Sequence, residues 1–127
     1  MALAADIGWW WRKSGEDSVP QYPDAMELCD SVVCMAYRDS AEAQVEAAAA
    51  QGQLAEAGKR RCSFWMGCET GKLAAQDKVT YYEEGCECLE RELEKLPPLL
   101  RTKGLFVAGI AVHCWDSYQT MPKRPRE

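Results

Sequence analysis

Cysteine is the residue that carries chemistry most densely in this chain, with seven among 127 residues, well above ordinary cytosolic usage. Two spaced pairs, Cys29 with Cys34 and Cys62 with Cys68, flank an alanine-rich centre. A spacing like this suits disulfide staples, which stabilise a small domain mainly by restricting its unfolded chain. A second group, Cys86, Cys88 and Cys114 with the single histidine His113, offers soft donors for a metal or for thiol exchange. One residue between paired cysteines is tighter than the two to four of structural zinc sites, so no metal is expected. His113 and Cys114 are a base and a nucleophile by type, but adjacent residues point in different directions on either helix or strand. The run from Gly67 to Lys72 has one residue too few between its glycines for a phosphate loop, and Leu73 stands where that loop needs Ser or Thr. The chemistry therefore reads as structural: no catalytic residue, no cofactor and no metal, with an intermembrane-space thiol or metal carrier using Cys86, Cys88 and Cys114 as the alternative.

The elements that must position these cysteines read as helices. The segment between the pairs has no proline and is rich in Ala, Glu, Gln and Arg, which lose least on entering a helix. Asp24 with Glu27 has the form of a capping box, predicting a helix from about Ala25, and Gly52 and Gly58 supply the turn. The expected fold is mainly α: a disulfide-stapled antiparallel helical hairpin over 24–96, with an extended N-terminal arm over 1–23 and a C-terminal extension over 97–127. Leu73, Val79, Leu89, Leu93 and Leu96 are the apolar core positions of its later helix, which Pro97 and Pro98 should stop. Folding the hairpin near Ala48 sets Cys29 opposite Cys68 and Cys34 opposite Cys62. Folding it at Gly58 sets Cys29 opposite Cys88 and Cys34 near Cys86. Spacing leaves both registers open.

The arms carry more apolar surface than such a hairpin can cover. Trp9, Trp10 and Trp11 are consecutive and are followed by Arg12 and Lys13, a pairing of rings and cations found at protein and membrane interfaces. The stretch from Gly104 to Trp115, including Leu105 and Phe106, is apolar but falls short of the roughly 20 residues that span a bilayer. Trp9, Trp10, Trp11, Leu105, Phe106 and Trp115 are thus expected at contacts with partner subunits or with a membrane surface. The formal net charge of −5 argues against nucleic acid, which demands a concentrated basic face. Charge instead alternates in blocks: residues 24–57 carry seven acids and one base, and residues 58–78 five bases and two acids.

The cysteine count favours a compartment that preserves disulfides. The first sixteen residues hold two acids and no apolar run long enough for a signal-peptide core, and the chain has no Asn to accept a glycan. Elimination leaves the mitochondrial intermembrane space.

The segment Tyr22-Pro23-Asp24 through Glu27, Cys29, Cys34-Met35 and Tyr37 resembles the cysteine segment of the PDSW subunit family of mitochondrial respiratory complex I, where a Pro-Asp precedes the first cysteine and a Cys-Met closes the pair. The likeness covers about residues 22–68. It implies two nested disulfides, Cys29–Cys68 and Cys34–Cys62, and a non-catalytic accessory subunit on the intermembrane-space side of the membrane arm of an NADH:ubiquinone oxidoreductase.

Overall fold

The computed structural model describes residues 1–12 and 21–125. Lys13 and the first part of the loop expected before Asp24 lie outside the described residues. The order of elements is β1 (Ala4–Gly8), α1 (Tyr22–Leu28), β2 (Ser31–Met35), α2 (Ala41–Ala50), α3 (Gln53–Ala57), β3 (Ser63–Glu69), α4 (Cys86–Thr102), β4 (Gly109–His113) and α5 (Trp115–Thr120), with a 3₁₀ turn at Asp77–Val79. The four strands form one sheet in the order β1-β2-β3-β4, and every neighbouring pair is parallel.

This α/β architecture overturns the expected helical hairpin. Residues 31–35, which that reading placed in its first helix, alternate between buried Val32 and Cys34 and half-buried Ser31, Val33 and Met35. Period two, with two β-branched valines, makes a strand. Ser63–Glu69 becomes β3, alternating from Ser63 to Met66 and buried from there to Glu69. The two ends of the chain, expected as extended arms, supply the two outermost strands of the sheet.

All seven cysteines are free, so neither disulfide register exists. Cys34 and Cys68 point from β2 and β3 into the helix-covered core and are fully buried, while Cys29 ends α1 and Cys62 precedes β3, both half-buried. The core thiols are held by amides: Cys34 Sγ donates to Gln53 Oε1 at 3.2 Å, and Gln44 Nε2 donates to Cys68 Sγ at 3.3 Å. Burial pushes Cys34 up to about 12 and Cys68 up to about 11, so both remain protonated, inert apolar fillers.

The helices share one layer, since α1 touches α3, α3 touches α2, and α2 touches α4. Beneath them lies the core: Ile7, Val32, Phe64 and Met66 from the strands, closed by Val45, Ala48, Leu54, Leu89, Leu96 and Leu100. Burying each larger side chain stabilises the fold by roughly 1.5–3 kcal/mol. Leu89, Leu96 and Leu100 are wholly buried, and that shared stripe carries α4 straight through Pro97 and Pro98, where a helix stop was expected. Gly52 separates α2 from α3 at φ 82°, a left-handed conformation for which glycine is suited.

The helix start expected near Ala25, capped by Asp24, falls instead on Tyr22, with Pro23 in the first turn. Among the described residues, no helix is long and apolar enough to cross a membrane.

Candidate functional site at the carboxyl edge of the sheet

In parallel α/β sheets the carboxyl ends of the strands carry loops and face solvent together, which makes them the usual seat of ligand chemistry. Here those ends bring together Trp9 and Trp10 after β1, Tyr37 and Arg38 after β2, Glu69 at the end of β3, and His113 with Trp115 around the end of β4. Glu69 and His113 are register partners on adjacent strands. Glu69 Oε2 lies 3.0 Å from His113 Nδ1. Its other oxygen, Oε1, accepts from the backbone N–H of Thr70 at 2.9 Å and of Gly71 at 2.7 Å. The carboxylate is buried and the imidazole two-thirds exposed, so Glu69 orients the ring and leaves its far edge open.

Tyr37 completes the arrangement. Its ring stacks on that of His113 at 6.4 Å between centroids and 18° between planes. A Cβ at Gly67 would stand 3.0 Å from the Tyr37 ring, so the absent side chain there lets the tyrosine lie over β3. Burial first, and then the negative charges of Glu69 and Asp6, push the Tyr37 phenol up to about 12, keeping it a proton donor at neutral pH.

The floor is pinned by buried polar groups. Gln44 Nε2 donates to the Gly67 carbonyl at 3.0 Å, and Tyr81 donates its hydroxyl to Gln44 Oε1 at 2.7 Å. Gln53 Nε2 donates to the Gly8 carbonyl at 2.8 Å, fixing the end of β1. The Thr70 amide donates to the His113 carbonyl at 2.8 Å, and the Thr70 and Ser117 hydroxyls are 2.6 Å apart, which joins the loop after β3 to α5. Arg38 lies over the Trp9 ring at 5.1 Å, and Trp9 meets Trp10 edge to face at 6.4 Å. These rings, with Met35, Tyr37 and Leu73, line a cleft of about 220 Å³ that is joined to the Glu69–His113 pair through Tyr37.

The residues singled out from sequence are scattered by comparison. Trp9 and Trp11 are half-buried, Trp10 is half exposed, and Leu105 is buried beneath α4 rather than presented to a partner. Phe106 is 81% and Trp115 66% exposed. Cys86 and Cys88 lie in the first turn of α4, whereas Cys114 is exposed after β4. Among the described residues no group of three His, Cys, Asp or Glu side chains is placed to hold a metal ion. Hydrogen bonding from the Ser117 amide and hydroxyl lowers the Cys114 thiol pKa.

Glu69 was not among the sequence candidates, and Tyr37 entered only as the end of the resembling cysteine segment. Four short apolar runs, each followed within three residues by Trp9, Tyr37, Glu69 or His113 and separated by helix-forming segments, form the βα rhythm that would have exposed both. No family model matches the chain, and no curated protein or solved structure is similar to it.

Proposed function

We propose that the carboxyl edge of the sheet is a ligand site in which His113, oriented by Glu69, exchanges a proton with a hydroxyl group or water on a small polar ligand. The observation that carries this reading is the pair itself: a buried carboxylate with one oxygen held by two amides and the other on Nδ1 of an exposed imidazole. A carboxylate on Nδ1 fixes the tautomer and aims Nε2 outward, the arrangement that serves general acid–base chemistry. Tyr37 on one side, and Trp9 and Trp10 along the cleft, supply flat apolar walls. Walls of that kind suit a ligand with an apolar ring face and polar edges, such as a sugar.

The experiment is a panel of chromogenic glycosides and esters assayed with the intact chain and with His113→Ala and Glu69→Gln. Turnover that falls about 100-fold or more in His113→Ala, with native circular dichroism retained, supports the reading. Equal turnover by all three proteins would sink it, as would the absence of both turnover and any ligand-dependent shift of the His113 ring resonances.

A second reading, favoured by the exposure of Phe106 and Trp115, is an accessory subunit of a larger membrane-associated assembly without catalytic residues of its own. Respiratory complex I is the assembly to which the resemblance around Cys29 and Cys34 leads. The intermembrane-space argument rested on oxidised cysteines and loses that premise with seven free thiols. Recovery of a tagged copy with respiratory-chain subunits would favour this reading, and its recovery without them would remove it.

A further inference from the structure

All-parallel sheets are ordinarily covered on both faces, because exposed strands of this kind leave apolar rows in water. Here the helices cover one face only. On the other, the register aligns Asp6, Val33, Trp65 and Gly109 across all four strands, and Val33, Met35, Trp65 and Ala111 remain half-buried with no helix above them among the described residues, although Trp10 and Tyr37 lie over the carboxyl end of this face. Among the described residues, both outer strands, β1 and β4, also have a free edge. The sequential order with helices on one side is the geometry of half a closed parallel barrel, in which the bare face becomes the packed interior.

The two free edges are chemically unlike. Beside β1 stand exposed Leu3 and Leu28 with the acids Asp24, Glu27 and Asp30, of which Glu27 also lies 3.9 Å from Arg60 and Asp30 accepts from the Leu3 amide. Beside β4 stand exposed Phe106 and Val112 with the bases Arg101 and Lys103. Because α1 and α4 both run back from the carboxyl edge, Glu27 and Leu28 end at the same level of the sheet as Arg101 and Lys103. An edge of one charge on one side and of the other charge on the opposite side is self-complementary only head to tail.

We propose that a second copy of this chain is the partner that covers the bare face, with β4 of each copy pairing in parallel with β1 of the other. Two copies of four strands reach the eight at which parallel barrels close, so the association stops at a dimer. Acidic residues beside β1 of one copy meet Arg101 and Lys103 of the other twice, once at each seam. The bare rows carrying Val33, Met35 and Trp65 from both copies fill the interior. Closure also sets the carboxyl ends of the partner's strands across from Glu69 and His113. The dimer stands or falls independently of whether that pair is catalytic.

The test uses the full chain in sedimentation equilibrium at low ionic strength, where exposed charges act most strongly. A mass of two chains is expected; a single chain at micromolar concentration, or an open series of larger masses, overturns the proposal. Two variants then read the direction of pairing: Arg101→Glu with Lys103→Glu, and Asp24→Lys with Glu27→Lys. Each alone should be monomeric, because both of its seams carry like charges, with circular dichroism and thermal melting confirming that it folds. Mixed in equal amounts they should regain the two-chain mass, since each seam of the mixed pair joins opposite charges. If both are folded and mixing restores nothing, the head-to-tail dimer is refuted.

Discussion

The two faces of the sheet are built from alternate residues of the same four strands, yet they do different work. On the helix-covered face Ile7, Val32, Cys34, Phe64, Met66 and Cys68 are almost wholly removed from water and contribute apolar contact. On the opposite face the same strands present Asp6, Val33, Trp65, Glu69 and His113, polar groups mixed among half-exposed apolar ones. Burial is concentrated on one face and the Glu69–His113 pair lies on the other, so substitutions one residue apart should separate folding from the proposed ligand binding.

The largest contrast is in thiol reactivity. Cys34, pushed up to about 12 by burial, should alkylate at neutral pH more than about 1000-fold more slowly than Cys114, whose pKa is lowered by Ser117. Timed labelling followed by peptide mapping measures this directly, and comparable rates would mean that the covered face opens readily. Met66→Ala should cost about 2–5 kcal/mol in denaturant melts, because the side chain has no exposure and its cavity cannot collapse freely. Gln44→Ala, which leaves the Gly67 carbonyl and the Tyr81 hydroxyl without their partner, should cost about 1–3 kcal/mol.

Glu92 adds a dependence on pH. Burial opposes its ionisation, but the Ala41 amide at 2.8 Å and Lys95 at 2.6 Å outweigh that and lower its pKa below the ordinary carboxyl value. A depressed carboxyl stabilises the fold above its unfolded pKa and loses that contribution as pH falls through the lower folded value. Glu92→Gln should therefore be less stable by about 1 kcal/mol at neutral pH and should match the parent chain in strong acid. A constant difference between the two proteins across an acid titration would contradict it. The smallest effect belongs to the bare face: in a chain held monomeric by Arg101→Glu and Lys103→Glu, Val33→Ala should cost less than about 0.8 kcal/mol, since the side chain is only half covered. A loss as large as that for Met66→Ala would show that the face is already packed within one chain.

Several local features were legible before the fold was known. The helix-forming run after Arg38 is α2 and α3, Gly52 lies between them, and Leu89 and Leu96 are core residues of a long later helix. The site was mostly hidden. His113 drew notice as the only histidine, but its partner Glu69 stands 44 residues earlier in the chain. Nothing in local pattern joins them, because a parallel sheet makes neighbours of residues separated by a whole crossover helix. The segment from Ser31 to Met35 misled for a related reason: a short apolar run between helix-forming stretches fits either a buried helix turn or a buried strand.

By itself, then, the sequence determined composition and local preference: one small acidic chain, alanine-rich helices broken at Gly52, and too few apolar residues in any one run to span a bilayer. Only the tertiary structure decided what the cysteines are for. A thiol's role depends on its distance from another sulfur and on the dielectric around it, and the sheet buries Cys34 and Cys68 beside glutamine amides instead of pairing them. The tertiary structure likewise decided that Glu69 meets His113, since strand register is fixed by long-range packing and by the alternation of faces, neither of which any single segment encodes.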